Sequence, residues 1–399
     1  MKHLAILAAL LAPVPALADT DPANWDDVTA AADGQTVYWN AWGGSTTTND
    51  FIAWVGDRVM ADYGVTLEHV KLTDTADAVT RVLSEKQAGE DDDGAIDMIW
   101  INGANFAAMK EADLLFGPYA EQLPNWAVVD AEGKTVQTDF TVPVEGFESP
   151  WAMAQVVFVH DTADMPDRLG SMQALLEWTA ANPGRFSYPQ PPDFLGTTFL
   201  KQVLVDILPD PSVLADPATD ENYEAVTAPL WAYLDELTPN LWREGKAYPA
   251  TGTAMFPLIA DGELDLSISF SPGAASTAIA NSELPPSVRT FVLDKGTIGN
   301  ASFVAVPYNS GSKEGAMVVA NFLMSPEAQA RAQDPSILGY GTVLNMAALS
   351  DDDRALFDAL ELGVATLSPA ELGSVQAEPH PSWATRIADD WMTRYGVSE

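Results

Sequence analysis

"VYWNAWGGSTTTNDF", residues 37–51, passes from β-branched and aromatic residues into two glycines and then into four small hydroxyl side chains. The first half has the composition of a buried strand. The second half reads as a turn followed by a capped helix. The same order suits a place where backbone comes close to a small molecule. Glycine permits close approach, and hydroxyls supply orientable donors and acceptors.

Three more stretches repeat the pattern in kind: "IWINGANF" (99–106), "SYPQPPDFLGTTF" (187–199) and "ISFSPGAAST" (268–277). In each, a strand-like run ends and small, polar and aromatic residues open a helix. In open parallel sheets the C-terminal strand ends face one crevice, where helix N-termini present unpaired N–H groups. Caps alone explain any single loop, at about 1 kcal/mol each. What sets the four apart is aromatic content without charge. Trp42, Trp100, Tyr188, Phe194 and Phe270 lie in or beside them, Asp50 and Asp193 are their only acids in a chain with 57, and Lys and Arg are absent. The expectation is an aromatic, uncharged cleft between two lobes, the common setting of a small-molecule site.

The intervening sequence alternates strand and helix signals, which points to α/β layers. Strands are predicted at 65–72, 95–101, 149–161, 185–189, 263–270 and 300–309. Helices are predicted at 75–89, 103–115, 171–184, 197–208, 228–242 and 273–281, then as a pair over 313–333 with Ser325 capping the second. The tail, 350–399, reads as helical. Residues 90–94, "EDDDG", form a solvated acidic turn without EF-hand spacing.

Residues 1–18, "MKHLAILAALLAPVPALA", have the form of a secretory signal peptide cleaved after Ala18. With no cysteine, disulfides and thiol chemistry are excluded. A composition 47% hydrophobic fits a globular protein held by its core, and a net charge of −38 repels nucleic acid and anionic membranes while attracting cations. Adaptation of an exported surface to salt is the first explanation of that charge, and a field selected for a cationic ligand the second. Signals for catalysis are sparse. Of four histidines, His3 leaves with the leader, and His69, His160 and His380 lack metal-ligand spacing. No nucleophile elbow or phosphate loop occurs. His160 and Asp161 are neighbours on a strand and point to opposite faces.

"MIWINGANF" (98–106), "NPGRFSYPQPPDFLGTTFLKQ" (182–202), "GTIGNASFVAVPYN" (296–309) and "GAMVVANFLMSPEAQA" (315–330) resemble the YnjB-like family of periplasmic solute-binding proteins of ABC importers. More distantly the chain is similar to binding proteins for thiamine, polyamines and iron(III). The resemblance implies an α/β, two-lobe periplasmic-binding-protein fold of the type II, Venus-flytrap kind, with a hinge and an inter-lobe cleft. It implies crossings near Trp151, Asn300 and Gly339–Asn345, so that lobe one is 33–150 with 299–338 and lobe two is 151–298 with 339–399. It places Trp42, Gly43, Gly44, Ser45, Trp100, Asn102 and Asn105 at the cleft from lobe one. Tyr188, Phe194, Thr197, Thr198, Phe270 and Ser271 face them from lobe two, and Trp151, Asn300 and Asn345 lie near the crossings. Iron-type relatives use tyrosine pairs, whereas the cleft loops here supply only Tyr188.

The expected activity is capture of a small solute in the periplasm by hinge closure and delivery to an ABC permease with its ATPase subunit. The expected protein is a monomer, without cofactor or metal, neither embedded in a membrane nor bound to nucleic acid. Aromatic faces favour a cationic or zwitterionic solute, thiamine-like or amine-like, with Asp50 or Asp193 as counter-charge. Helix N-termini leave open a small anion of phosphonate or sulfonate type, and a secreted hydrolase is a further alternative.

Overall fold

A computed structural model describes residues 20–397. The expected signal peptide lies outside the described residues. Eleven strands are found among them: β1 (Thr36–Trp42), β2 (Thr66–Leu72), β3 (Met98–Ile101), the short hairpin β4 (Thr138–Asp139) and β5 (Val142–Pro143), β6 (Glu148–Gln155), β7 (Val157–Asp161), β8 (Leu266–Ser269), β9 (Val288–Phe291), β10 (Thr297–Ala305) and β11 (Val375–Gln376).

β1 forms because Val37, Trp39 and Ala41 alternate onto one face and are fully buried there. It pairs in parallel with β2 and β3, β3 pairs antiparallel with β10, and β10 also takes β6 antiparallel and β11 in parallel. The result is a mixed six-stranded sheet. The opening stretch then turns into the helix Thr46–Tyr63, where the Ser45 hydroxyl caps the Thr48 amide and Gly64, at φ 72°, ends it. Its glycines make room for the protein's own side chains. A Cβ on Gly43 would lie 2.6 Å from Lys71 Cβ, and one on Gly44 would lie 2.4 Å from the Trp42 ring.

The long run 149–161, read as one strand, is two strands in two sheets. β6 belongs to the first sheet, and after Val156 the chain enters β7, which pairs antiparallel with β8 and β9. This second sheet is antiparallel throughout, which corrects the expectation of parallel sheets; parallel and antiparallel partners cannot be told apart from one strand's composition. Residues 185–189 make only an isolated bridge, Phe186 to Leu266. The tail holds the helices Asp351–Asp358, Pro369–Leu372 and Pro381–Tyr395, with β11 between them.

Two large cores result. Around the first sheet, Trp39, Phe51 and Trp151 pack with the buried helix Lys313–Leu323. Around the second, Phe158, Phe186, Tyr188, Phe199 and the tail residues Trp383 and Trp391 close a separate core. The segment after Leu338 meets the second lobe at two facing glycines: the Gly273 amide donates to the Gly339 carbonyl at 3.1 Å, and a Cβ on Gly273 would sit 2.5 Å from Gly339 Cα. Gly339 also has φ 65°, which disfavours any side chain.

Gly273→Ala and Gly339→Ala are each expected to lower stability by about 1–3 kcal/mol, the usual cost of overpacking, measured by urea unfolding. Gly34→Ala, with φ 86° but nothing within 4 Å of its Cβ, separates the backbone cost from the steric one.

Candidate functional site

The helix Ala104–Glu111 begins at Gly103, which has φ 59° and no side chain to cap with. A carboxylate from elsewhere does the work: Asp139, at the tip of the β4–β5 hairpin, accepts from the Gly103 amide at 2.5 Å and from Asn102 Nδ2 at 3.4 Å. The hairpin thereby holds Phe140 against Gly103, where a Cβ would lie 2.8 Å from the Phe140 ring. Asn102 also donates to the Ala301 carbonyl of β10 at 2.7 Å.

The second lobe meets this hairpin with the helix Phe194–Ile207. Asp193 caps it, its Oδ1 accepting from the Leu195 and Gly196 amides. Seven residues after Phe194, hence two turns on and on the same face, comes Lys201. Its ammonium lies 4.4 Å from the centroid of Phe140 and 5.7 Å from that of Phe194. It donates to Glu378 Oε2 at 2.6 Å, with both side chains 2% exposed. Glu378 Oε1 accepts from Asn300 Nδ2 at 3.0 Å. Phe194, 48% exposed, stands edge-on to Phe270 at 5.2 Å between centroids. A seam between lobes is thus built from Asn102, Asp139, Phe140, Phe194, Lys201, Phe270, Asn300 and Glu378.

The seam is charged, which corrects the expected uncharged cleft. The loops themselves lack Lys and Arg, but the helix that the third loop opens carries a lysine back to the same place. Burial pushes the Asp139 carboxyl up to about 7, with the nearby Glu378 charge adding to it against the pull of the Gly103 and Asn102 donors and of Lys201. Burial also raises Glu378, against Lys201 and Asn300. Asp193 is raised by burial despite the two amide donors of the helix it caps. Asp50 is exposed on the helix Thr46–Tyr63.

Not every predicted residue reaches the seam. Trp151 is fully buried in the first core, where Trp39, Phe51, Trp100 and Tyr340 surround its ring. Tyr188 is fully buried in the second core, stacked on Phe199 at 4.3 Å with its hydroxyl accepting from Trp391 Nε1. Thr198 turns its hydroxyl to the Phe194 carbonyl, and Asn345 accepts from the Ala347 amide within its own turn. Large rings beside a loop gain most by filling a core. Trp42, Gly43, Gly44 and Ser45 form the capped turn already described, packed on one another and on Lys71, and Trp100 stands 4.8 Å from Trp151. Asn105 is half-buried in the first turn of its helix, Thr197 is buried in the first turn of the lobe-two helix, and Ser271 donates to the Gly339 carbonyl at 3.4 Å.

Sequence reasoning missed Asp139, Phe140, Lys201 and Glu378. Only Lys201 left a signal, its helical spacing from Phe194. Two open hollows lie elsewhere, one of about 460 Å³ beside Asp235 and Tyr395 and one of about 720 Å³ beside Trp25 and Tyr63. Among the described residues no group of three or more His, Asp or Glu is placed to hold a metal ion, and no helix is long and apolar enough to cross a membrane.

Residues 54–357 match the family model of bacterial extracellular solute-binding proteins. The chain belongs to this family. It is 43% identical to Protein YnjB of Escherichia coli (strain K12) over 397 residues, covering the full length of both. Among solved structures it resembles the periplasmic binding protein AfuA from Actinobacillus pleuropneumoniae, with exogenous fructose-6-phosphate bound, at a TM-score of 0.62 and 12% identity over 91% of this chain and 99% of that one. It also resembles the spermidine/putrescine substrate-binding protein PotD from Streptococcus pneumoniae at a TM-score of 0.59 and 15% identity, covering 90% and 98%. The fold is therefore the two-lobe α/β fold of periplasmic binding proteins, and the chain is an extracellular solute-binding protein.

A buried acid whose folded-state value exceeds its ordinary one stabilises the fold as it takes up a proton. Asp139 should therefore add stability as pH falls from about 7 toward 3.8 and withhold it above that window. Asp139→Asn keeps an acceptor for Gly103 and removes the charge. Melting at pH 8 and pH 5 should show the variant gaining on the native protein at pH 8 and the gap closing at pH 5.

Proposed function

We propose that this solute-binding protein captures a cationic or zwitterionic organic solute, amine-like or thiamine-like, in the periplasm. The observation that carries the reading is the seam between Phe140 of one lobe and Phe194 and Phe270 of the other. There the Glu378 carboxylate holds a single cation, Lys201, beside the buried Asp139 carboxyl. Rings and the Glu378 carboxylate attract an ammonium, at about 0.5–2 kcal/mol for each cation–ring contact. An anion would have to approach the same carboxylate, which counts against the phosphonate or sulfonate alternative. Binding rather than hydrolysis is favoured because His160 is engaged in packing, its Nδ1 at 2.8 Å from the Met165 carbonyl.

The mechanism proposed is hinge closure. Lobe one, taken as 33–150 with 299–338, and lobe two, taken as 151–298 with 339–399, close on the solute, and an ABC permease with its ATPase receives it. Trp42, Trp100, Asn102 and Asn105 border the solute on one side, and Phe194, Thr197, Phe270 and Ser271 on the other. Cleavage after Ala18 and a monomeric mature protein complete the proposal.

Thermal melting against thiamine, putrescine, spermidine, choline, γ-aminobutyrate and alkyl phosphonates tests it. A solute at 100 times its Kd should stabilise by about 2.7 kcal/mol. A shift with an amine, reduced at least tenfold in affinity by Glu378→Gln, is the expected result. Shifts confined to phosphonates would overturn the ligand class.

A further inference from the structure

Lys201 is an awkward residue for its position. It lies on a helix whose residues from Leu195 to Asp206 are all buried. A buried ion pair stabilises a fold no better than apolar side chains of the same volume. Yet its head is enclosed as a bound alkylammonium would be, by the Glu378 carboxylate at 2.6 Å, the Phe140 ring at 4.4 Å and the Phe194 ring at 5.7 Å. Phe140 belongs to the opposite lobe, so the enclosure exists only when the lobes meet.

We propose that Glu378, Phe140 and Phe194 form an ammonium subsite, and that Lys201 occupies in this structure the place a solute's ammonium takes on capture. This rests on the proposed ligand class and adds where its charged end goes. Lysine suits the part, having a compact charge on a flexible four-carbon stem. Phe194, half-exposed at the start of the same helix, marks the side from which the head can leave and a solute enter. A tethered competitor also selects. A solute must displace an ammonium held at high effective concentration, so one offering only an ammonium loses to Lys201. One bringing an aromatic or second polar group to Phe270 and Asn102 wins.

Lys201→Ala, which leaves the volume of a propylammonium ion, provides the test. Millimolar n-propylammonium chloride should raise the Tm of this variant by about 2–4 °C more than that of the native protein. n-Propanol should not, and the double variant with Glu378→Gln should lose the effect. An equal rise in the native protein, an equal rise with propanol, or no response would overturn the subsite. Lys201→Met, which removes little more than the charged head, covers the case in which the alanine variant does not fold. Ammonium chloride should then stabilise it over sodium chloride of equal ionic strength, and identical melting in the two salts would overturn the proposal. The solute panel on the native protein judges the ligand class separately, so either idea can fail alone.

Discussion

Strand β10 is the member on which both halves of the molecule depend. Along nine residues it pairs with β11 at one end, with β3 at the other and with β6 along most of its length, from Gly299–Gln155 to Ala305–Glu148 with one register shift between Ser302 and Phe303. Its neighbours carry the chain into the second sheet. The Val156 amide, between β6 and β7, donates to the Ile298 carbonyl at 2.8 Å. Two adjacent residues of this strand then reach the seam, Asn300 through its side chain to Glu378 and Ala301 through its carbonyl to Asn102. A shift of one residue in the β6–β10 register would turn both away. Backbone pairing thus sets where the charges of the seam stand.

Those charges contrast with the rest of the protein. At a net charge of −38, most acids are solvated and far from any single partner. In the seam Asp139 and Glu378 are buried, so the same functional group behaves differently, and Asp139 is driven toward its neutral form while Glu378 is held beside an ammonium. The acidic surface concentrates cations around the molecule, and the seam is where one of them would be held by rings as well as charge.

Much of this was legible in residue order. The alternation of Val37, Trp39 and Ala41, the cap at Ser45 and the Ser325 cap all follow from local chemistry, and local chemistry is what a sequence displays. The resemblance carried by 98–106, 182–202 and 296–330 reached further, to family and fold. What stayed hidden was set by partners distant in the chain. Nothing in "SPWAMAQVVFVHD" marks Val156 as the point where one sheet ends and another begins. Tyr188 looks like a ring-bearing loop residue, and Trp151 like a ring at a crossing, until the cores that enclose them are assembled. Glu378 lies 177 residues from Lys201, and no periodicity links them. Lys201 was within reach, since a face defined by Phe194 extends along the whole helix, beyond the loop that opens it.

The helix Ala104–Glu111 and the β4–β5 hairpin support each other. Gly103 cannot cap its own helix, and the carboxylate that does so comes from 36 residues downstream. Eight residues with so little local support are too few to persist alone in water. The same contact seats Phe140 against Gly103, so the stability of one short helix and the placement of a ring on the far side of the seam rest on one carboxyl group.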